Sequence, residues 1–169
     1  PEVIDANIPA MHKTTYIMDY LGIHRRKDFE KKAVEVFSKY FPVSRAEIQR
    51  ASDKAYAAYE KYRNEVRSYA QKAIAYAEEN HFPIIVLAGR PYHVDPEINH
   101  GIDKLITGYG AVVISEDGIP LEKYKRKVHV LNQWTYHSRL YAAANAVKDY
   151  DNMSLIQLVS FGCGVDAIT

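Results

Sequence analysis

A dense group of polar and ionisable side chains follows one apolar run near the middle of the chain. The run is Ile-Ile-Val-Leu-Ala at residues 84–88, and the loop after it carries far more functional groups than a turn requires. Side chains of these types can orient a ligand or lock the loop by hydrogen bonds. We predict that five of them contribute to a cofactor-binding site, namely Arg90, Tyr92, His93, Asp95 and His100.

A second group surrounds Cys163, the single cysteine of the chain, which lies between two glycines at a predicted strand-to-helix turn. The amide dipoles of a helix start favour the thiolate, the form that binds a metal or attacks an electrophile. Cys163 is therefore a candidate for either role, and Asp166 is a further candidate cofactor-binding residue. Lone cysteines are also common as small buried hydrophobes, and that interpretation stays open.

Two other interpretations involve histidines. His93 and His100 are seven residues apart with two acids between them, so a metal site can be drawn there, although loop histidines more often cap or form hydrogen bonds. A cysteine-based transferase would pair Cys163 with His93 or His137, which requires sulfur and imidazole within hydrogen-bond reach. One thiolate cannot hold an iron–sulfur cluster alone, so a cluster would need ligands outside this segment.

The apolar pattern predicts the elements that position these groups. Five consecutive apolar residues at 84–88 cannot alternate between two faces, so this strand must be covered on both sides, as in a parallel sheet. Asp95 can cap a helix that begins at Pro96 and ends at Gly108 or Gly110. The inner face of that helix is predicted to consist of Ile98, Ile102, Leu105 and Ile106.

Two further strands are predicted at residues 111–115 and 155–161. Between them lie a basic stretch at 123–127, interpreted as a solvated connection, and a helical stripe over 134–147. The order strand, helix, strand, helix, strand predicts right-handed crossovers. Residues 81–169 are thus expected to form a three-layer, Rossmann-like α/β unit with a parallel sheet of at least three strands.

Parallel strands would bring three loops to one edge of that sheet, at residues 89–101, 116–118 and 162–166. Open parallel sheets bind ligands outside the carboxyl ends of their strands. Helices that start at this edge point unpaired amides towards it, which favours an anionic or phosphate-bearing ligand. Neither Gly-x-Gly-x-x-Gly nor the Lys-Ser/Thr of a P-loop occurs, so ATP hydrolysis by this segment alone is not expected.

The first half of the chain is organised differently. Residues 1–27 show no sustained period and are predicted as an extended arm, and residues 28–80 as a helical hairpin. The first helix follows Asp28 as its N-cap and stops before Pro42. The second opens at a Ser-x-x-Glu capping box at residues 44–47 and runs for roughly 35 residues.

The long second helix carries a stripe rich in tyrosine, whose hydroxyls need water or a partner. The stripe can pack against the first helix as an antiparallel pair, or it can form an interface with domains outside this chain. Its members are Ile48, Ala51, Ala55, Tyr59, Tyr62, Val66, Tyr69, Ala73 and Tyr76.

Composition excludes several classes of protein. With 47% hydrophobic and 25% charged residues, the chain is typical of a globular domain rather than a disordered one. The balance of 22 basic and 21 acidic residues argues against nucleic acid as a partner. Neither a membrane span nor a signal pattern is present, so a cytoplasmic location is expected. Because the chain begins at Pro1 and ends a few residues into a predicted helix, we expect more protein on both sides.

Three motifs together resemble the acyl-CoA dehydratase activase-related proteins, which are associated with 2-hydroxyglutaryl-CoA dehydratase activators. They are GRPYHVDPEINHG at residues 89–101, QWTYHSR at 133–139 and SFGCGVDA at 160–167. The resemblance covers roughly residues 1–169 and is sharpest from residue 84 onward. In that family an ATP-binding activase part is joined to a region similar to the dehydratase subunits, which have Rossmann-like domains and bind an iron–sulfur cluster.

The resemblance implies that this segment belongs to the dehydratase-like region, with Cys163 as one ligand of a [4Fe–4S] cluster in the full-length protein. It also implies that ATP binds only to domains outside the segment. The expected partners are the other domains of the parent chain, an acyl-CoA ligand and dehydratase subunits. The expected role is support of iron–sulfur-dependent, ATP-driven electron transfer or acyl-CoA dehydration, with no complete active site in this segment. The alternative is a non-catalytic module that docks activase and dehydratase parts through the long helix.

Overall fold

The computed structural model describes Asn7 and residues 14–127, 134–160, 162–164 and 166. The chain divides into two units, Pro1–Glu60 and Lys61–Thr169. Most of the predicted arm before residue 14, the end of the predicted third strand at Phe161 and the predicted helix start after Asp166 lie outside the described residues. Among those that are described, none of the helices has both the length and the apolar character needed to cross a membrane.

The unit Pro1–Glu60 contains helix α1, Arg26–Phe37. Sequence patterning placed the start of this helix at an Asp28 cap, which is wrong, because Asp28 lies within the first turn. There its carboxylate is stabilised by the positive end of the helix dipole and by Arg25, 3.9 Å away. Ala33 and Val36 are its buried residues.

Helix α2, Arg45–Glu79, is 35 residues long, as predicted. Its capping box forms: the Glu47 amide donates to Ser44 Oγ at 3.2 Å, and the Ser44 amide donates to Glu47 Oε2 at 2.8 Å. In the unit Pro1–Glu60, the buried Ser52 hydroxyl donates to Glu30 Oε1 of α1 at 2.7 Å. Arg26 of α1 donates to the same oxygen at 2.7 Å and also to Asp53 of α2, so Ser52 and Asp53 tie the two helices together there.

The unit Lys61–Thr169 is built on a parallel sheet, as predicted. Strands β1, Ile84–Ala88, β2, Val112–Ser115, and β3, Met153–Gln157, lie in the order β2-β1-β3. Val86 pairs with Ile114 on one side and Leu155 on the other. The central strand is the apolar run, and its residues Ile84, Val86, Leu87 and Ala88 are buried.

Strand β3 begins two residues earlier than predicted and ends at Gln157. The reason is the length of its neighbour: β1 ends at Ala88, which pairs with Gln157, and only the amide of Leu158 still finds the Ala88 carbonyl, at 2.7 Å. Val159, the next residue, has no central-strand residue left to pair with.

One face of the sheet packs against the second half of α2 and against helix α5, Thr135–Ala146. Both helices present small residues to the strands, which allows close approach. The predicted tyrosine stripe of α2 is not the face that packs against the sheet. The buried residues each lie one position after a predicted one, as Ala70 does after Tyr69, which is 71% exposed. The helix residues of this core are Ala70, Ile74, Ala77, Ala142, Ala143 and Ala146.

The connection from β1 to β2 is not the single helix that was predicted. After a 3₁₀ turn at Pro91–Val94, it consists of helix α3, Pro96–Asn99, and helix α4, Ile102–Gly108. The two are separated by His100 and Gly101, which have positive φ angles of 54° and 80°.

Asn99 accounts for the break. Its buried side chain donates to the His93 carbonyl at 2.9 Å and accepts from the Asp103 amide in the first turn of α4 at 3.2 Å. Asn99 thus satisfies one backbone amide of a second helix start. The prediction that Ile98 and Leu105 face inward is also wrong, because they are 49% and 59% exposed.

Candidate functional site

Asp166 is the centre of a polar cluster at the carboxyl edge of the sheet. Its side chain is only 2% exposed. Both carboxylate oxygens are used: Oδ2 accepts from Arg90 Nε at 3.1 Å and from the Ser160 amide at 3.0 Å. Oδ1 accepts from Tyr136 Oη at 2.6 Å and from Arg90 Nη2 at 3.2 Å. The carboxylate is therefore satisfied by protein groups.

Three elements supply the partners of Asp166. Arg90 is the second residue after β1, Ser160 is the third after β3, and Tyr136 lies in the first turn of α5. Because β1 and β3 are parallel, their carboxyl ends meet, and the loops that follow them come together as their order along the chain predicts.

The charges in this cluster stabilise one another. Burial alone would raise the pKa of Asp166, but hydrogen bonds from Arg90, Tyr136 and the Ser160 amide hold it well below its usual range. The hydrogen bond to Asp166 raises the pKa of Arg90 further. Burial, together with the hydrogen bond to Asp166, raises the pKa of Tyr136 to about 12. The centre of the cluster is thus an ionised pair with a neutral phenol.

Cys163 is held by the same guanidinium. It is partly buried, and its Sγ accepts a hydrogen bond from Arg90 Nη2 at 2.9 Å. Charge-assisted hydrogen bonds of this type are stronger than neutral ones and fix the orientation of both groups. Arg90 thus links the sulfur to the buried carboxylate.

Aromatic rings cover the guanidinium. The Cζ of Arg90 lies 4.6 Å from the ring centroid of Tyr136 and 5.7 Å from that of Trp134. These distances are those of cation–π contacts. The ring of His137, which is 3% exposed, lies 3.9 Å from that of Tyr136. His137 Nε2 has no hydrogen-bond partner within the described ranges, and the oxygen nearest to it is Asp166 Oδ1 at 3.6 Å.

The loop after β1 is locked by its own hydrogen bonds. The Arg90 amide donates to His93 Nδ1 at 3.0 Å, which requires an unprotonated Nδ1. Burial lowers the pKa of His93, which favours that neutral form. Tyr92 and Ser160 share a hydrogen bond between their hydroxyls. A Cβ at Gly89 would lie 2.4 Å from His93 Nδ1, so the close approach of this ring requires glycine.

The two remaining predicted residues do not join the cluster. Asp95 is the N-cap of α3 and accepts from the amides of Glu97 at 2.9 Å and Ile98 at 3.3 Å. His100 is exposed, and no hydrogen bond or ion pair connects it to other residues in the described part of the chain. The structure therefore brings together Arg90, Tyr92, His93, Cys163 and Asp166.

The chemistry open to this site is limited by its contacts. Among the described residues, no group of three or more His, Cys, Asp or Glu could hold a metal ion. Cys163 contributes one thiolate at most to a cluster, and the chain has no second cysteine. Within the same residues Cys163 is not hydrogen-bonded to His93 or His137, so the transferase pairing has no geometric support.

The third loop at this edge is attached to the same helix. Glu116, which is buried and follows β2, accepts from Arg139 Nη2 at 3.2 Å, and Asp117 also accepts from Arg139. Burial raises the pKa of Glu116. Helix α5 therefore holds the loops after β2 and β3 through Arg139 and Tyr136.

The sequence pattern did not assign Tyr136 or Ser160 to the site, and it offered His137 only as a partner of Cys163 in a transferase. Residues 134–147 were predicted only as a helical stripe. The available signal was the run Trp-Thr-Tyr-His at 134–137, since aromatic residues at a helix start near a sheet edge can reach a ligand site. Ser160 contributes its backbone amide to Asp166, which residue type alone does not reveal.

Comparison with known proteins relates the chain to one family. Neither the curated proteins nor the solved structures contain a significant match. The family described as the CoA enzyme activase uncharacterised domain (DUF2229) matches residues 1–119, more than half of the 169 residues. The match includes Arg90 and His93 but ends before Tyr136, Cys163 and Asp166. The chain thus belongs to this CoA enzyme activase-related family, and the predicted relationship to acyl-CoA dehydratase activase-related proteins is confirmed.

Proposed function

We propose that this chain is part of the dehydratase-like region of a cytoplasmic 2-hydroxyacyl-CoA dehydratase activase-related protein. In that role it supports iron–sulfur-dependent, ATP-driven electron transfer or acyl-CoA dehydration. Family membership supports the general assignment. The proposed iron–sulfur role is supported by the hydrogen bond from Arg90 to Cys163 Sγ at the carboxyl edge of a parallel sheet.

In this proposal Cys163 supplies one thiolate ligand of a [4Fe–4S] cluster, and the other ligands come from outside this segment. When bound, the cluster accepts and donates single electrons. The contribution of this chain is positional. Arg90 is fixed by Asp166 and by the Tyr136 ring, so the sulfur has a defined orientation, and hydrogen bonds to ligand sulfurs are one means by which proteins tune clusters.

The other components belong to the parent system. ATP binds to the activase domains outside this segment, and dehydratase subunits are the protein partners. An acyl-CoA is the ligand of a pocket that the loop from Arg90 to His100 helps to shape. The shape of that loop is maintained by the contacts of His93 and Tyr92. No catalytic residue is assigned within the segment.

The test is reconstitution of the parent protein with ferrous iron and sulfide, followed by measurement of iron per chain and of the visible absorption. Cys163→Ser should lower both. Thr107→Ser, an equally small change on exposed helix α4, should leave both unchanged. Equal iron content in Cys163→Ser and the native protein would remove the ligand role.

The second candidate is the non-catalytic docking module. It is supported by tyrosines on the α2 surface in the unit Lys61–Thr169, where Tyr62, Tyr69 and Tyr76 are 59%, 71% and 55% exposed. Replacing all three with serine should abolish association with activase and dehydratase parts in sedimentation experiments while the sheet stays folded. Deletion of the helix would be uninformative, because Ala70, Ile74 and Ala77 belong to the core. Association that survives the triple substitution counts against this role.

A further inference from the structure

A basic pocket lies on the unit Lys61–Thr169, between residues 124–127 and helix α5. Its volume is about 320 Å³, which is within the range of small-molecule sites. Four cationic side chains line it: Lys125, Arg126, Lys127 and Lys148. The sequence pattern predicted a solvated connection at residues 123–127. The contribution of Lys148, from the 3₁₀ turn Val147–Asp149 after α5, becomes visible only in the fold.

These four cations, which line one pocket, differ from the paired arginines of the unit. Arg67, Arg90 and Arg139 are each paired with a carboxylate. Within the described ranges, no carboxylate forms an ion pair with any of the four pocket residues. Four like charges around one cavity repel one another, and an anion placed among them removes that repulsion.

The basic segment is attached to the helix beside it. Asn145 Nδ2 donates to the Tyr124 carbonyl at 3.1 Å. Burial and the neighbouring Asp149 raise the pKa of Tyr124, so its hydroxyl stays neutral beside the basic segment. Tyr141, Ala142 and Ala144 add apolar surface to the pocket. The cavity thus combines an aromatic and aliphatic surface with a cluster of positive charge.

We propose that this pocket binds a small phosphate-bearing ligand of nucleotide size. Ammonium groups act as point charges for phosphate, and the Arg126 guanidinium can donate two parallel hydrogen bonds to its oxygens. A phosphate ester carries nearly two negative charges at neutral pH, which suits four cations better than a single carboxylate does. The apolar surface with Tyr141 contacts the uncharged part of the ligand. The chain has a net charge of only +1, so the positive charge is local to the pocket rather than a long track for nucleic acid.

The test is calorimetric titration of the full chain with ADP, pyrophosphate and adenosine. ADP and pyrophosphate should bind, adenosine should bind at least about tenfold more weakly, and ADP affinity should fall as salt is raised. Serine at all four cationic positions should reduce ADP affinity at least about tenfold. If ADP and pyrophosphate do not bind to the native chain, the proposal is wrong.

A matched control removes the same charge elsewhere. Four exposed lysines that do not line the pocket, replaced by serine, should leave ADP affinity within about twofold, since the proposal depends on the charges of the lining residues alone. They are Lys31, Lys39, Lys54 and Lys104. An equal loss in this control would show diffuse attraction and overturn the proposal.

Two further measurements separate a pocket from a surface. Ala144 is exposed on α5 and lines the cavity, so Ala144→Leu should weaken ADP binding without changing charge or fold. Unchanged ADP affinity in this variant would contradict binding inside the cavity. Vesicles of equal parts phosphatidylserine and phosphatidylcholine should bind weakly and be displaced by ADP. Tight vesicle binding that ADP does not displace would assign the charges to a membrane surface instead.

Discussion

The guanidinium of Arg90 and the carboxylate of Asp166, 76 residues apart in the chain, are joined by two hydrogen bonds of 3.1 and 3.2 Å. Arg90 follows the central strand and Asp166 follows an edge strand, so this pair closes the carboxyl edge of the sheet. The same guanidinium also holds the single thiol. The positions of Arg90 and, through it, of Cys163 therefore depend on one buried carboxylate.

Asp166→Asn should lower the free energy of unfolding by about 2 kcal/mol, because the buried carboxylate would lose its charge and the partly buried Arg90 its counter-charge. Urea denaturation followed by circular dichroism measures this. Asp95→Asn is the matched control, since asparagine caps a helix as well as aspartate does, and its effect should be within about 0.5 kcal/mol. Equal effects of the two substitutions would contradict a special role for Asp166.

The stabilisation by Asp166 should depend on acid pH. Its pKa is lower in the folded protein than the unfolded value of about 3.9, so the unfolded chain binds the proton first as pH falls. The difference in free energy of unfolding between native protein and Asp166→Asn is therefore fully present above about pH 5 and shrinks towards about pH 2. Urea titrations at several pH values measure this difference. A difference that stays constant over this interval would argue against an ionised Asp166.

A second pH dependence is expected from His93, whose pKa burial lowers in the folded state. Stability from neutral His93 is present above its unfolded pKa of about 6.5 and is lost as pH falls through the lower folded value. His93→Asn keeps an acceptor near the position of Nδ1 but does not titrate, so its melting temperature should change less between about pH 7 and about pH 5.5. His24→Asn, at an exposed site, should retain the native pH profile. Identical profiles for the native protein and His93→Asn would refute this assignment.

Gly89→Ala should destabilise the protein by about 1–3 kcal/mol, since the added methyl would overlap His93 Nδ1 and lie 3.0 Å from the Leu158 carbonyl. Thermal unfolding measures the loss. Gly108→Ala is the control, because a Cβ there meets nothing within 4 Å at the end of α4. It should be neutral or slightly stabilising. A tolerated Gly89→Ala would show that the His93 ring does not hold this position.

The choice of buried stripe on α2 is also testable. Ile74→Ala should lower the free energy of unfolding by about 2–5 kcal/mol, because it leaves a cavity beside the sheet. Tyr69→Ala, at a largely exposed position, should cost less than about 0.5 kcal/mol. If urea denaturation showed a larger loss of stability for Tyr69→Ala than for Ile74→Ala, the tyrosine stripe would be the one that packs against the sheet.

The parallel sheet was predictable because the apolar run before Arg90 is too uniform for a half-exposed strand. The parallel direction of the strands then predicted that the loops at their carboxyl ends meet at one edge. Sequence patterning did not predict the centre of the cluster. Asp166 acquires its role from partners supplied by three distant elements, and no local pattern encodes the pairing of a Tyr136 hydroxyl with it. The break at His100 was missed for a similar reason, since Asn99 caps the next helix only because its side chain is buried against the His93 carbonyl.

The tyrosine stripe shows a different limit. Hydrophobic periodicity on α2 fits both the tyrosine stripe and the neighbouring stripe that contains Ala70 and Ala77. The sheet packs against the second, because its small side chains permit close contact and no tyrosine hydroxyl has to be buried there. A hydrophobicity pattern does not distinguish two adjacent faces that differ mainly in side-chain size.

Helix α5 carries Tyr136 and Arg139 one turn apart, and through them it restrains a turn on each side of the central strand. Fraying of that single turn would release both flanking segments in one event. The amide hydrogens of Ser160 and Ile119, which donate to Asp166 and to the Glu116 carbonyl, should consequently exchange with solvent at coupled rates, so that the rim of the sheet opens as one cooperative unit.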